Sequence, residues 1–207
     1  AYLREGRLTE AFMNAKKAVI VDPRSSNAHY ILALVYQRLG EMGSADASYQ
    51  KAISLDPRNP AALNAYGLFL CERKDFDEAD NYFRRALNNP LYSTPWIASH
   101  NAGSCAEMSG DLERADRDYR TALQANPQFA PSLLSMAEVS YRTGNYLSSR
   151  AYLQRYAEVA PHTAQSLWLG VQTENHLGDK DQMASYRLKL RNKFPDSEQA
   201  KFLQTIE

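Results

Sequence analysis

Small apolar residues return along this chain at a step of 34. Ala11 and Ala45 are one step apart, as are Ala18 and Ala52, and Pro23 and Pro57. The same step links Gly110, Gly144 and Gly178, and then Pro127, Pro161 and Pro195. Inside each period small and large positions alternate at helical spacing. Ala11, Ala45, Ala79, Ala115 and Ser149 stand near the start of one helix, and Ala18, Ala52, Ala86 and Ala122 follow one to two turns later. Between the two small sets lie Tyr49, Phe83, Tyr119 and Leu153. This predicts paired helices in which large side chains of one fill gaps beside small residues of another. Glycine falls between the two helices of a pair at Gly6, Gly40, Gly110, Gly144 and Gly178, where a helix end commonly needs a positive φ. Lys74-Asp75 occupies that turn in one pair and breaks the pattern. Each second helix ends before a proline, at Asp56-Pro57, Asn126-Pro127, Ala160-Pro161 and Phe194-Pro195, because the residue before proline avoids helical geometry.

A helix–turn–helix period of 34 is the signature of tetratricopeptide repeats. The expected fold is therefore all-α: a tetratricopeptide-repeat superhelical solenoid of about six repeats plus a C-terminal capping helix, forming one domain over 1–207. The register gives a partial repeat at 1–25, repeats at 26–59, 60–95, 96–129, 130–163 and 164–197, and a cap at 197–207. First helices are predicted near 27–39, 61–73, 97–109, 131–143 and 165–177. Two departures stand out. From Ala79 to Ala115 the step is 36, and the two extra residues fall in Asn88–Trp96, which carries Pro90, Leu91, Tyr92 and Pro95. Such a loop either contacts a partner or tucks its aromatics beneath itself to pin the flanking helices. Near the C-terminus Tyr156 and Leu190 replace the small alanine, and Arg187 stands where an aromatic did, as expected of a terminal repeat. Phe202, Leu203 and Ile206 share one face of the capping segment.

Composition narrows the function classes. Hydrophobic residues at 44% suffice for a repeat core. The 24 basic and 24 acidic residues cancel, and no basic run occurs, so nucleic acid is not an expected partner. No apolar stretch approaches a membrane span. The chain begins inside a repeat, so the true N-terminus is expected upstream of Ala1. Cys71 and Cys105 form no closely spaced metal or redox motif, and two cysteines do not indicate a disulfide framework. No catalytic motif occurs, and His29, His100, His162 and His176 are scattered over different repeats or repeat positions. The chain reads as a scaffold without enzyme activity, cofactor or metal.

In such repeats the first helices line the inner face. On a 3.6-residue helix the register places there Tyr30, Leu34 and Gln37, then Asn64, Leu68 and Cys71, then His100, Ser104 and Glu107. Leu134, Glu138 and Tyr141 follow, then Trp168, Gln172 and Asn175. The expected partner-binding groove is Tyr30, Leu34, Asn64, Leu68, His100, Asn101, Leu134, Glu138, Tyr141, Trp168 and Gln172, with a further loop contact at Leu91, Tyr92 and Trp96. Aromatics supply rigid contact area, and the amides can bind a peptide backbone. Repeat proteins that capture a chaperone's C-terminal carboxylate place basic residues and asparagine on this face. Here Tyr30, Leu34, Ala61, Ala65, Ile97, Pro131 and Ser135 hold the comparable places, which argues against that mode.

Several stretches are similar to one family. They are Asn64-Ala65-Tyr66-Gly67-Leu68-Phe69-Leu70, Leu91-Tyr92, Asn101-Ala102-Gly103, Pro131-Ser132 with Met136-Ala137, and Ser166-Leu167-Trp168-Leu169-Gly170. Ala184-Ser185-Tyr186, Leu188-Lys189-Leu190 and Phe194-Pro195-Asp196-Ser197 complete the set. The chain resembles the type IV pilus biogenesis and stability lipoproteins, the PilF/PilW pilotins. The resemblance implies six repeats and a lipid anchor, upstream of Ala1, in the inner leaflet of the bacterial outer membrane. It also implies a role in bringing the pilus secretin to that membrane and into its multimeric ring. The expected partner is then a secretin subunit, and the expected location is the periplasmic face of the outer membrane. The alternatives are a cytoplasmic repeat adaptor for another complex, or the docking part of a larger enzyme.

Overall fold

The computed structural model describes residues 7–205, so Gly6 and Ile206 lie outside the described residues. Among the described residues the only regular secondary structure is α-helix: α1 (Leu8–Val21), α2 (Ser26–Arg38), α3 (Met42–Leu55), α4 (Pro60–Glu72), α5 (Phe76–Leu87), α6 (Pro95–Ser109), α7 (Leu112–Ala125), α8 (Ala130–Arg142), α9 (Tyr146–Val159), α10 (Ala164–Leu177), α11 (Lys180–Lys193) and α12 (Glu198–Thr205). The helix-pair architecture is the one the period predicts, with each first helix within two residues of its expected start. The chain divides into two compact units, the first ending at Cys105 and the second beginning at Ala106, a boundary inside α6.

In the first unit the alternation of small and large positions becomes packing. Ala45, Ala52, Ala79 and Ala86 are fully buried, and Tyr49 and Phe83 lie beside them without solvent contact. Ala18 departs from the expected set and is exposed. Among the described residues α1 packs against α2 alone, through Ala11 and Ala15. Gly67 of α4 makes room for the Phe83 ring, and a Cβ there would lie 2.8 Å from it. Helix starts are capped: Ser25 Oγ accepts from the Ala28 N–H, and Asn59 Oδ1 accepts from those of Ala61 and Ala62. Proline occupies the first turn of α4, where no helical N–H bond is lost. At the turn where Lys74 replaces glycine, the backbone keeps the left-handed geometry, φ 67° against 79° at Gly40.

Cys71 of α4 and Cys105 of α6 form a disulfide with Cα atoms 5.7 Å apart. Cysteine number and spacing do not indicate this bond. The bond removes Cys71 from the groove, since the residue is 2% exposed and its sulfur is committed inward.

The second unit repeats the scheme with Ala115, Ala122 and Ser149 as its fully buried small residues and Leu133, Met136 and Leu153 as its large ones. The last pair shifts by one residue. Arg187, at the large-residue position, cannot be buried without its charge being paired. The neighbouring Tyr186 packs inward instead, and its ring fills the place a Cβ on Gly170 would take, 2.7 Å away. Leu190 and Leu203 complete that core, so α12 closes the unit as a cap.

Candidate functional site

The first helices of both units carry a row of half-buried side chains, and the expected groove residues fall on it. In the first unit these are Tyr30 and Leu34 of α2, Asn64 and Leu68 of α4, and His100 and Asn101 of α6, all intermediate in exposure. The polar members hold one another. Asn101 Nδ2 donates to Asn64 Oδ1 at 3.0 Å. Gln37 Nε2 donates to Glu72 Oε2 at 2.8 Å, while Tyr49 OH donates to Gln37 Oε1, also at 2.8 Å. A cavity of about 420 Å³ opens between Leu34, Gln37, Leu68 and Glu72. Burial pushes the Tyr30 phenol upward and the His100 imidazole down to about 4, so both are neutral near pH 7. A face preset by internal hydrogen bonds and free of charge at His100 suits an apolar or neutral polar segment.

In the loop at the long step one aromatic tucks inward while Leu91 faces outward. Tyr92 packs against the first unit's core, where burial raises its phenol and the nearby Tyr30 adds to the effect. Trp96 is half-buried in the first turn of α6. Leu91 is 88% exposed and lines a cavity of about 580 Å³ that also includes Arg58, Arg85 and Asn89. Asn89 secures the loop, donating from Nδ2 to the Arg58 carbonyl and accepting at Oδ1 from the Leu91 N–H.

In the second unit the face comprises Glu107 of α6, Leu134, Glu138 and Tyr141 of α8, and Trp168 and Gln172 of α10. Two residues missed at the sequence level join it. Arg142 donates to Glu107, and Gln165 donates to Glu138. Their signal was spacing, Arg142 four residues after Glu138 and Gln165 three before Trp168, so that each shares its neighbour's helix face. Desolvation raises the Glu138 carboxyl above its ordinary value and the Glu107 charge adds to this, with Gln165 and Arg142 opposing. A cavity of about 240 Å³ lies alongside, between Tyr141, Trp168, Val171, Met183 and Leu203. His176 stacks on Tyr146 with ring centroids 4.2 Å apart and meets Tyr141 edge-on. Among the described residues no group of three His, Cys, Asp or Glu side chains is placed to hold a metal ion, and no helix is long and apolar enough to cross a membrane.

Models of the tetratricopeptide repeat match residues 26–59, 48–81 and 102–170. The type IV pilus assembly protein PilF of Pseudomonas aeruginosa is 33% identical over 196 residues, which is 95% of this chain and 78% of that protein. The crystal structure of PilW, a type IV pilus biogenesis factor, superposes with a TM-score of 0.87 at 30% identity, covering 98% of this chain and 93% of that one. The structure of P. aeruginosa PilF also gives 0.87, at 32% identity over 100% and 93% of the two chains.

Proposed function

The chain belongs to the PilF/PilW family of tetratricopeptide-repeat proteins of type IV pilus biogenesis, and on that footing we propose that it is a pilotin. It is a non-catalytic scaffold that binds the pilus secretin and assists its arrival and multimerisation in the outer membrane. One observation carries the reading: first helices in both units present a half-buried, mixed face of Tyr, Trp, Leu, Asn and Gln side chains, the composition that recognises a protein segment. The proposed location is the periplasmic face of the outer membrane, with attachment through a lipid upstream of Ala1. The Cys71–Cys105 disulfide supports that side of the cell, since structural disulfides persist in oxidising compartments and are rare in the cytoplasm.

The test is the state of the secretin in outer membranes of cells with and without the gene. The pilotin reading expects multimers to be lost on deletion and restored by the intact protein. Normal multimers in the deletion strain would overturn it.

A further inference from the structure

The second unit's face is chemically unlike the first's. In the first unit its hydrogen-bonding groups largely pair among themselves, and His100 is neutral. In the second unit two glutamates, Glu107 and Glu138, project from successive first helices onto one face. Arg142 donates to Glu107, which also accepts from Tyr119 OH at 3.0 Å. Glu138, half-buried, accepts from the neutral amide of Gln165. Burial and the Glu107 charge hold this carboxyl above its ordinary pKa with Gln165 and Arg142 opposing, and an incoming cation would add to the opposing side.

Next to that carboxylate is an apolar cavity. Tyr141 lies three residues beyond Glu138 on α8, and Trp168 three beyond Gln165 on α10, so the carboxylate and the cavity rim are about one helical turn apart on both helices. Val171, Met183 and Leu203 form the cavity's apolar wall, and Trp168 is steadied against Phe202 at 6.3 Å between centroids. Arg187 also lines the cavity, from α11, and is engaged within the protein. A fixed aromatic edge beside a desolvated carboxylate favours a cation whose neighbouring side chain is bulky and apolar.

We infer that the face of α8 and α10 is a two-point docking site for a partner segment carrying a lysine or arginine about one turn from a large apolar side chain, the cation at Glu138 and the apolar group between Tyr141 and Trp168. This rests on the proposed reading of the first-helix faces as binding surfaces, and it specifies the partner's chemistry there.

Two arms test it, both on the full chain. In the first, binding of the secretin's periplasmic region is measured for the wild type, Glu138→Gln, Glu138→Lys and Trp168→Leu, with thermal melts confirming that each variant is folded. The expected result is a loss of about tenfold for Glu138→Gln, a larger one for Glu138→Lys, and a weaker salt dependence in both. Binding that is unchanged in the folded Glu138 variants would overturn the docking site while leaving the pilotin reading intact. The second arm uses blocked 15-residue peptides with one phenylalanine and, four residues away, arginine, glutamine or glutamate. Preference for the arginine peptide, erased by Glu138→Gln, supports the site even if the wild type fails to bind secretin, a failure that would count against the pilotin reading alone. Equal binding of the arginine and glutamate peptides would overturn the site.

Discussion

At Lys74 a non-glycine residue holds φ at 67°, in a turn where the equivalent positions carry glycine at 75° to 88°. The left-handed conformation costs an L-residue about 1 kcal/mol. Lys74→Gly is therefore expected to raise stability by somewhat less than that, since glycine's freedom in the unfolded chain offsets part of the gain. The check is the urea midpoint at unchanged slope. Gly67 predicts the opposite sign. A methyl group there meets the buried Phe83 ring at 2.8 Å, so Gly67→Ala should cost about 1–3 kcal/mol, and adding Phe83→Leu should recover part of the loss. Alanines that recur at the period were legible because repetition marks them. Gly67 and Gly170 stand out less, because each is read from the one ring it faces, Phe83 or Tyr186, and not from the 34-residue step. The disulfide was not legible, because the lengthened junction puts Glu107, not Cys105, at the position equivalent to Cys71, although the two cysteines fall on neighbouring first helices.

Among the elements, α10 is tied to α9 by buried polar groups. Glu174 is 2% exposed and receives a two-pronged hydrogen bond from Arg150 of α9, which also reaches Asp179, while Ser149 and Thr173 share a buried hydrogen bond at 3.0 Å. A buried carboxylate of this kind adds little compared with an apolar pair, yet removing one partner strands the other. Arg150→Ala should cost about 3–5 kcal/mol, read by chemical denaturation, and Arg150→Ala with Glu174→Leu should recover much of it. Helix positions were readable to within two residues because turn glycines and prolines recur. The one-residue shift of α11 was not, because it follows from a competition between Arg187 and Tyr186 for one slot, decided by the room at Gly170. The side chains expected on the first helices are half-buried there, and Arg142 and Gln165, each about one turn from Glu138 or Trp168 on the same helix, were within the reach of the same spacing.

For the molecule as a whole, stability should depend on pH below neutrality. His100 is held near 4 in the folded state against an ordinary value of 6.5, and His162 is lowered too, by burial and then by Lys189 and Lys193. Between those values the unfolded chain binds protons that the folded chain refuses, so stability falls as pH drops from about 6.5 toward 4 and is level above 7. Glu138, raised in the folded state, acts with the opposite sign near the lower end of that range. His100→Gln should flatten the fall, measured as midpoints across pH 4–7.5. Opening the disulfide releases a loop of 34 residues, for which chain entropy predicts a loss of about 3–4 kcal/mol. Cys71→Ala with Cys105→Ala should reproduce it without reductant.

The position of that bond also sets an order in time. A chain made and delivered from its N-terminus presents Cys71 first and Cys105 afterwards, and Cys105 is the last residue of the first compact unit. Both sulfurs are in hand before any residue of the second unit is required. Given an oxidising compartment, the two thiols of the first half can thus be joined while the rest is still to come, and a chain interrupted just past α6 would already hold both of them.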